Sequence, residues 1–222
     1  MVDVAEREPL AAYQANGLGV RNLAIACRQI DAKFVHYSTD YVFDGTHGRP
    51  YTESDPPRPL SAYGVSKLAG EYYALAYHDH VLVIRTCGVF GPGGRKTPRG
   101  NFVETMLRLA QSGKPIHVVQ DHIASPTYSP ALAEKTADLL QGGHTGVFHC
   151  GGGHPISWYD FAGKIFAAAG LSPSLMVARA EVYRTEARRP KFSALENRRL
   201  QEIGLDRMPT LDEALAEYMS RR

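Results

Sequence analysis

The chain has 222 residues, room for one full domain or for a domain with a smaller lobe. Hydrophobic residues make up 44% and charged residues 22%, the make-up of a folded globular protein, and a net charge of +2 gives no strong pull toward nucleic acid or a membrane surface. Three cysteines isolated in sequence, Cys27, Cys87 and Cys150, argue against a disulfide framework; with a charged start unlike a signal peptide and no apolar run near the roughly 18 residues of a membrane helix, the expected compartment is the cytoplasm.

Residues 9–30 read as a helix, with a proline in the first turn and Leu10, Tyr13, Val20, Leu23 and Cys27 at three- and four-residue steps. Residues 33–38 form a short β-branched and aromatic run, a buried strand that ends in a loop at 39–45. Pro50, Pro56, Pro57 and Pro59 make 46–60 a long irregular connection, after which Ser61 caps a helix to about residue 77. Val81–Thr86 is the second buried strand, so the rhythm is βαβ and the sheet parallel. Further on, helices are expected at 101–111, 129–140, 157–169 and from 211, and strands at 116–119 and 146–150. Basic residues are scattered except at Arg188 and Arg189 and in a loop carrying Arg95, Lys96 and Arg99. The fold class is therefore α/β. Residues 1–90 read as the later part of a Rossmann-type domain, an incomplete parallel sheet with helices on both faces. Residues 91–222 read as a smaller, mixed, substrate-binding lobe that sends some segments back to the sheet.

The residues with chemistry are Tyr63 and Lys67, four apart and so on one helix face. A phenol titrating near 10 is a poor proton donor at neutral pH. An ammonium about 4 Å away contributes roughly 4 kcal/mol at an effective dielectric near 20, about three pKa units, which brings the phenol toward working pH. The ordinary alternative is a surface tyrosine lying on a lysine stem. Ser38, Thr39 and Asp40 stand at the carboxyl end of a strand, the edge at which open parallel sheets bind ligands, and a Thr39 hydroxyl there can hydrogen-bond a substrate carbonyl beside Tyr63. The plainer role for Thr39 is to cap its own loop backbone.

The stretch 38–45 (Ser-Thr-Asp-Tyr-Val-Phe-Asp-Gly), Arg49, Pro50 and Tyr51, Glu53, Asp55 with two prolines, and Tyr63 through Glu71 together resemble the dTDP-4-dehydrorhamnose reductase family. The resemblance continues through Val83 to Thr86, Asn101 to Leu109, Ser125 to Thr127, Ser157 to Phe161, and Arg189, Pro190 and Ser193, and so covers nearly the whole chain. It implies reduction of a 4-keto deoxysugar nucleotide to dTDP-L-rhamnose with NADPH or NADH. Tyr63 would be the proton donor, Lys67 would tune it and hold the nicotinamide ribose, Thr39 would assist Tyr63 or orient the carbonyl, and Thr39 and Asp40 would contact the sugar. Some members bind Mg2+ at a dimer contact; no motif places it here, and a homodimer is compatible with the resemblance.

Two departures stand out. Better-known members carry a tryptophan packed on the sugar where this chain has Gly88, so another side chain replaces it or the sugar differs. Cys87 beside it reads as a small buried filler. The family also opens with a strand and a glycine-rich turn that cradles the cofactor pyrophosphate at a helix start. Neither Gly91–Gly94 nor Gly151–Gly153 fits that role. Three explanations are open: an internal methionine taken as the start, a fragment, or a degenerate paralogue. The remaining sheet is then expected to expose a strand edge and an apolar face. The alternative function is a non-catalytic regulatory or interaction subunit, against which the joint presence of Thr39, Tyr63 and Lys67 argues. A metal site from His144, His149, Cys150 and His154 matches no tight ligand spacing.

Overall fold

The computed structural model describes residues 2–96, 100–178 and 185–222; Arg99 of the basic loop lies outside the described residues. The expected first helix begins at Pro9 as read, with a π turn inside it, and an unexpected short helix precedes it. Helix α1 (Val2–Arg7) is followed, after Glu8, by α2 (Pro9–Tyr13), a π turn (Gln14–Leu18) and α3 (Gly19–Gln29). Proline at the first position of α2 lacks the amide a continuous helix would need there, which accounts for the break at Glu8.

Strand β1 (Phe34–Thr39) leads through a 3-10 turn (Asp40–Val42) and the proline-rich connection to α4 (Ala62–Tyr77). Ser61 caps α4: its side chain accepts from the Gly64 amide at 3.2 Å, which is the cap the sequence predicts. Strand β2 (Val81–Thr86) runs parallel to β1, with Phe34 opposite Val81 and Thr39 opposite Thr86. Helix α5 (Phe102–Ala110), capped by Asn101, strands β3 (Ile116–Val118) and β4 (Ile123–Ala124), and helix α6 (Ser129–Gln141) come next. Strand β5 (Gly146–His149) then returns to the sheet parallel to β2, giving the order β1-β2-β5. The remainder is β6 (Ile156–Ser157), α7 (Trp158–Ala168), β7 (Leu175–Val177), α8 (Arg198–Glu202) and α9 (Leu211–Ser220). Short β4, β6, β7 and α8 have no counterpart among the expected elements; two to five residues carry too little periodicity to read.

Every residue of β2 is buried, and its alternation divides two cores. Val81 and Val83 pack with Val20 and Ala74 on the side of α3 and α4, while Leu82 and Ile84 pack with Leu132, Leu139, Phe148 and Leu200 on the side of α6 and α8. A third core, around Phe90, Val103, Met106, Phe161, Ile165 and Tyr218, joins α5, α7 and α9. Among the described residues β1 pairs with β2 alone, so it forms one edge of the sheet, and Leu10, Leu23, Ile30 and Tyr37 are exposed. No helix of the described residues is long and apolar enough to cross a membrane.

One ion pair ties the central helix to the sheet. Arg85 on β2 meets Glu71 on α4 with Nε donating to Oε1 at 3.0 Å and Nη2 donating to Oε2 at 2.7 Å. The side chains are 5% and 1% exposed.

Candidate functional site

The carboxyl end of β1 and the first turn of α4 face each other because the backbone there is nearly in contact. A β-carbon at Gly64 would lie 2.3 Å from the Tyr41 carbonyl oxygen and 2.9 Å from Pro59 Cβ, so only glycine lets the helix start sit against the loop after β1. That approach places Tyr63 beside Thr39, whose side chain acts on the tyrosine to lower its pKa. The Thr39 hydroxyl also donates to Asp40 Oδ1 at 3.1 Å and accepts from the Tyr41 amide at 3.2 Å. The plain capping role and the position beside Tyr63 thus coexist in one residue.

Asp40 is buried, and burial pushes its carboxyl above the usual carboxylate range. Hydrogen bonds from Cys87 and Thr39, with Ser193 nearby, pull the other way. The Cys87 thiol donates to Asp40 Oδ2 at 3.1 Å, so Cys87 is more than filler; burial holds that thiol well above its ordinary value, as a proton donor.

Lys67 departs from expectation. Its ammonium donates to the Tyr37 carbonyl at 2.6 Å and lies 3.5 Å from His36 Nε2, turned along β1. Burial lowers its pKa. Burial raises the Tyr63 pKa, Asp40 pushes the same way, and only the neighbouring Thr39 opposes them. The expected lowering of Tyr63 by Lys67 is therefore corrected: desolvation outweighs any effect of an ammonium that a backbone carbonyl has engaged. His36 is held neutral, its pKa lowered to about 4 by burial and then by the Lys67 charge.

Thr39, Asp40, Tyr63 and Gly88 line one cavity of about 570 Å3; Lys67 is not among its lining residues. The opposite walls come from Phe102, Met106, Ile123 and Trp158, with Arg189 and Ser193 at a further side. Arg189 is clamped by Asp3 of α1, with Nη2 2.6 Å from Oδ2 and Nη1 3.0 Å from Oδ1, and its guanidinium lowers the Asp3 pKa to about 2. Trp158, Phe102, Arg189 and Ser193 lie in stretches that carry the family resemblance, yet their approach to Thr39 is a long-range consequence of the fold.

The residues present fit one end of a nicotinamide nucleotide. Lys67 and Tyr63 stand at the carboxyl edge of a parallel sheet, and the Ser38 and Thr86 hydroxyls at the ends of β1 and β2 are buried without a partner. The pyrophosphate end has no cradle among the described glycines. A β-carbon at Gly91 would meet Ser129 Oγ at 1.9 Å, and one at Gly152 would meet the Pro126 carbonyl oxygen at 1.7 Å, so these glycines serve packing against the chain itself. Among the described residues no group of three or more His, Cys, Asp or Glu could hold a metal ion. His149 Nδ1 faces the Tyr51 and Glu196 carbonyls, and Cys150 Sγ lies 3.9 Å from Met208 Sδ.

Comparison with known proteins agrees with this geometry. A spore coat polysaccharide biosynthesis protein, SpsK of Bacillus subtilis, is 40% identical over 222 residues, covering 100% of this chain and 76% of the relative. A dTDP-4-dehydrorhamnose reductase of Burkholderia thailandensis is 40% identical over 219 residues, covering 90% of this chain and 72% of the relative. The crystal structure of dTDP-4-dehydrorhamnose reductase from Bacillus anthracis in complex with NADP superposes with a TM-score of 0.94 at 36% identity, over 100% of this chain and 77% of that one. The family model of the RmlD substrate binding domain matches residues 1–222, and with 40% identity to relatives of which it spans over two thirds, the chain belongs to the RmlD substrate binding domain family.

Proposed function

We propose that this chain carries the substrate-binding and proton-donating machinery for reduction of the 4-keto group of a deoxysugar nucleotide, dTDP-4-dehydro-L-rhamnose to dTDP-L-rhamnose. The observation that carries this reading is the convergence of the Tyr63 and Thr39 hydroxyls on one largely apolar cavity. NADPH or NADH supplies the hydride when bound. The substrate oxygen then needs a proton, and a phenol whose pKa is raised by burial stands protonated and ready at neutral pH. Thr39, whose single hydroxyl proton now rests on Asp40, turns it to orient the carbonyl or to assist Tyr63. Asp40, fixed by Cys87 and Thr39, meets the sugar hydroxyls, and Gly88 lines the cavity beside it. Lys67 holds the ribose hydroxyls with the donor that now rests on the Tyr37 carbonyl.

On the same reading residues 1–90 belong to the nucleotide-binding part, and residues 91–222 to a substrate lobe that lends β5 back to the sheet. The test is NADPH oxidation with the 4-keto sugar nucleotide, measured for this chain and for the longest reading frame that contains it. Tyr63→Phe is expected to lower kcat by about 10²- to 10⁴-fold with little change in sugar-nucleotide affinity. A Tyr63→Phe enzyme of undiminished rate, or no reduction by any form, refutes the assignment.

A further inference from the structure

We propose that Trp158 is the platform on which the sugar ring is seated, and that Gly88 is the clearance that admits the indole. The proposal rests on reading the cavity as a sugar-nucleotide site. Trp158 opens α7, and its amide donates to the His122 carbonyl at 3.2 Å, which fixes the backbone from which the ring projects. Phe102 props the ring edge-on at 4.7 Å between centroids, and Phe161 stands 6.0 Å away. The indole is only partly buried, and it packs against both the α5–α7–α9 core and the core around Val42, Phe43 and Tyr51. It is held from behind and contributes to the cavity wall.

Its outer edge reaches the reacting end of that cavity. A β-carbon at Gly88 would lie 3.1 Å from Trp158 Cη2 and 3.3 Å from Pro126 Cα. Gly88 also has φ +52°, a conformation that other residues adopt with strain. A side chain at 88 would therefore press on the indole in its present place and require it or Pro126 to yield by a few tenths of an ångström. Gly88 follows Cys87, whose thiol holds Asp40 beside Thr39. The aromatic edge thus stands next to the groups that surround the keto carbon, where the sugar must lie. A pyranose ring offers a face of C–H bonds and a 6-deoxysugar adds a methyl group, and both lose apolar surface to water when laid on an indole.

Trp158 is the only tryptophan, so its emission reports the contact directly. The chain is titrated with dTDP-L-rhamnose and, separately, with dTDP, while equilibrium dialysis measures binding in the same buffer. The expected result is an emission change with dTDP-L-rhamnose and none with saturating dTDP. Trp158→Ala is expected to weaken dTDP-L-rhamnose binding by roughly three- to tenfold while dTDP affinity stays within about twofold, and Trp158→Phe restores most of the loss. Binding of dTDP-L-rhamnose with no emission change overturns the platform and leaves the functional reading standing. An equal change with dTDP alone overturns it too, placing the base on the indole. Failure of either compound to bind overturns the reading of the cavity and the platform with it.

Discussion

Removing the charge of Glu71 should cost more stability than any surface change in this chain. Glu71 gives both carboxylate oxygens to Arg85, at 3.0 Å and 2.7 Å, with each side chain at most 5% exposed. In Glu71→Gln the shape is kept and one carbonyl acceptor survives, but the guanidinium is left charged in a site closed to water. Its other neighbours are His149 Nε2 at 3.5 Å and the face of Phe43 at 5.3 Å, and neither neutralises it. Breaking a buried pair from one side costs about 3–5 kcal/mol. With a urea slope of about 2 kcal/mol/M for a chain of this size, the midpoint should fall by about 2 M. Replacing both partners, Glu71→Leu with Arg85→Met, should recover most of that loss, because two well-packed apolar groups leave no charge behind. The measurement is urea denaturation followed by far-ultraviolet circular dichroism. A fall of less than about 0.5 M for Glu71→Gln, at unchanged slope, would refute the claim that this pair clamps α4 to β2.

Gly64→Ala should lower the melting temperature, since its β-carbon has only 2.3 Å to the Tyr41 carbonyl; a cost of about 1–3 kcal/mol translates to about 2–4 °C for each kcal/mol by differential scanning calorimetry. Acid should weaken the fold through His36, whose folded pKa of about 4 lies below the ordinary 6.5. The unfolded chain binds that proton first, so the His36 contribution is complete above about pH 6.5 and drains away as pH falls to about 4, about 3 kcal/mol in all. His149, lowered to about 3 by burial and the Arg85 charge, acts with the same sign. Urea midpoints for wild type and His36→Asn across that window check this; equal slopes would refute it. Asp3→Asn should move the urea midpoint by under about 0.5 M, because the pair with Arg189 is half open to water, and the difference should shrink in about 1 M salt.

Local signals in the sequence located the candidate groups. The all-apolar start of β2, the Ser61 cap and the four-residue step from Tyr63 to Lys67 are short-range facts, and the structure places them within a residue of expectation. The direction of the Tyr63 shift was not legible, because it turns on how much water the fold leaves around one hydroxyl and on which rotamer a flexible lysine selects. Nor was Trp158 legible as a cavity wall: it lies 95 residues beyond Tyr63 and meets Gly88 only after α7 packs on α5. Helix α1 was missed for a simpler reason, since six residues with Val2, Val4 and Ala5 as their apolar positions show little helical periodicity. It is held by tertiary contacts, Asp3 to Arg189 and Glu6 to the Ala62 amide.

The cavity draws its walls from residue 2 to residue 193, so no contiguous stretch of the chain owns it. Such a hollow takes shape only when distant segments have docked, and it vanishes when any of them lifts away. A small molecule seated there therefore acts as a fastener for the entire fold: at a hundredfold excess over its dissociation constant it adds about 2.7 kcal/mol against global unfolding, felt at α1 as much as at α9.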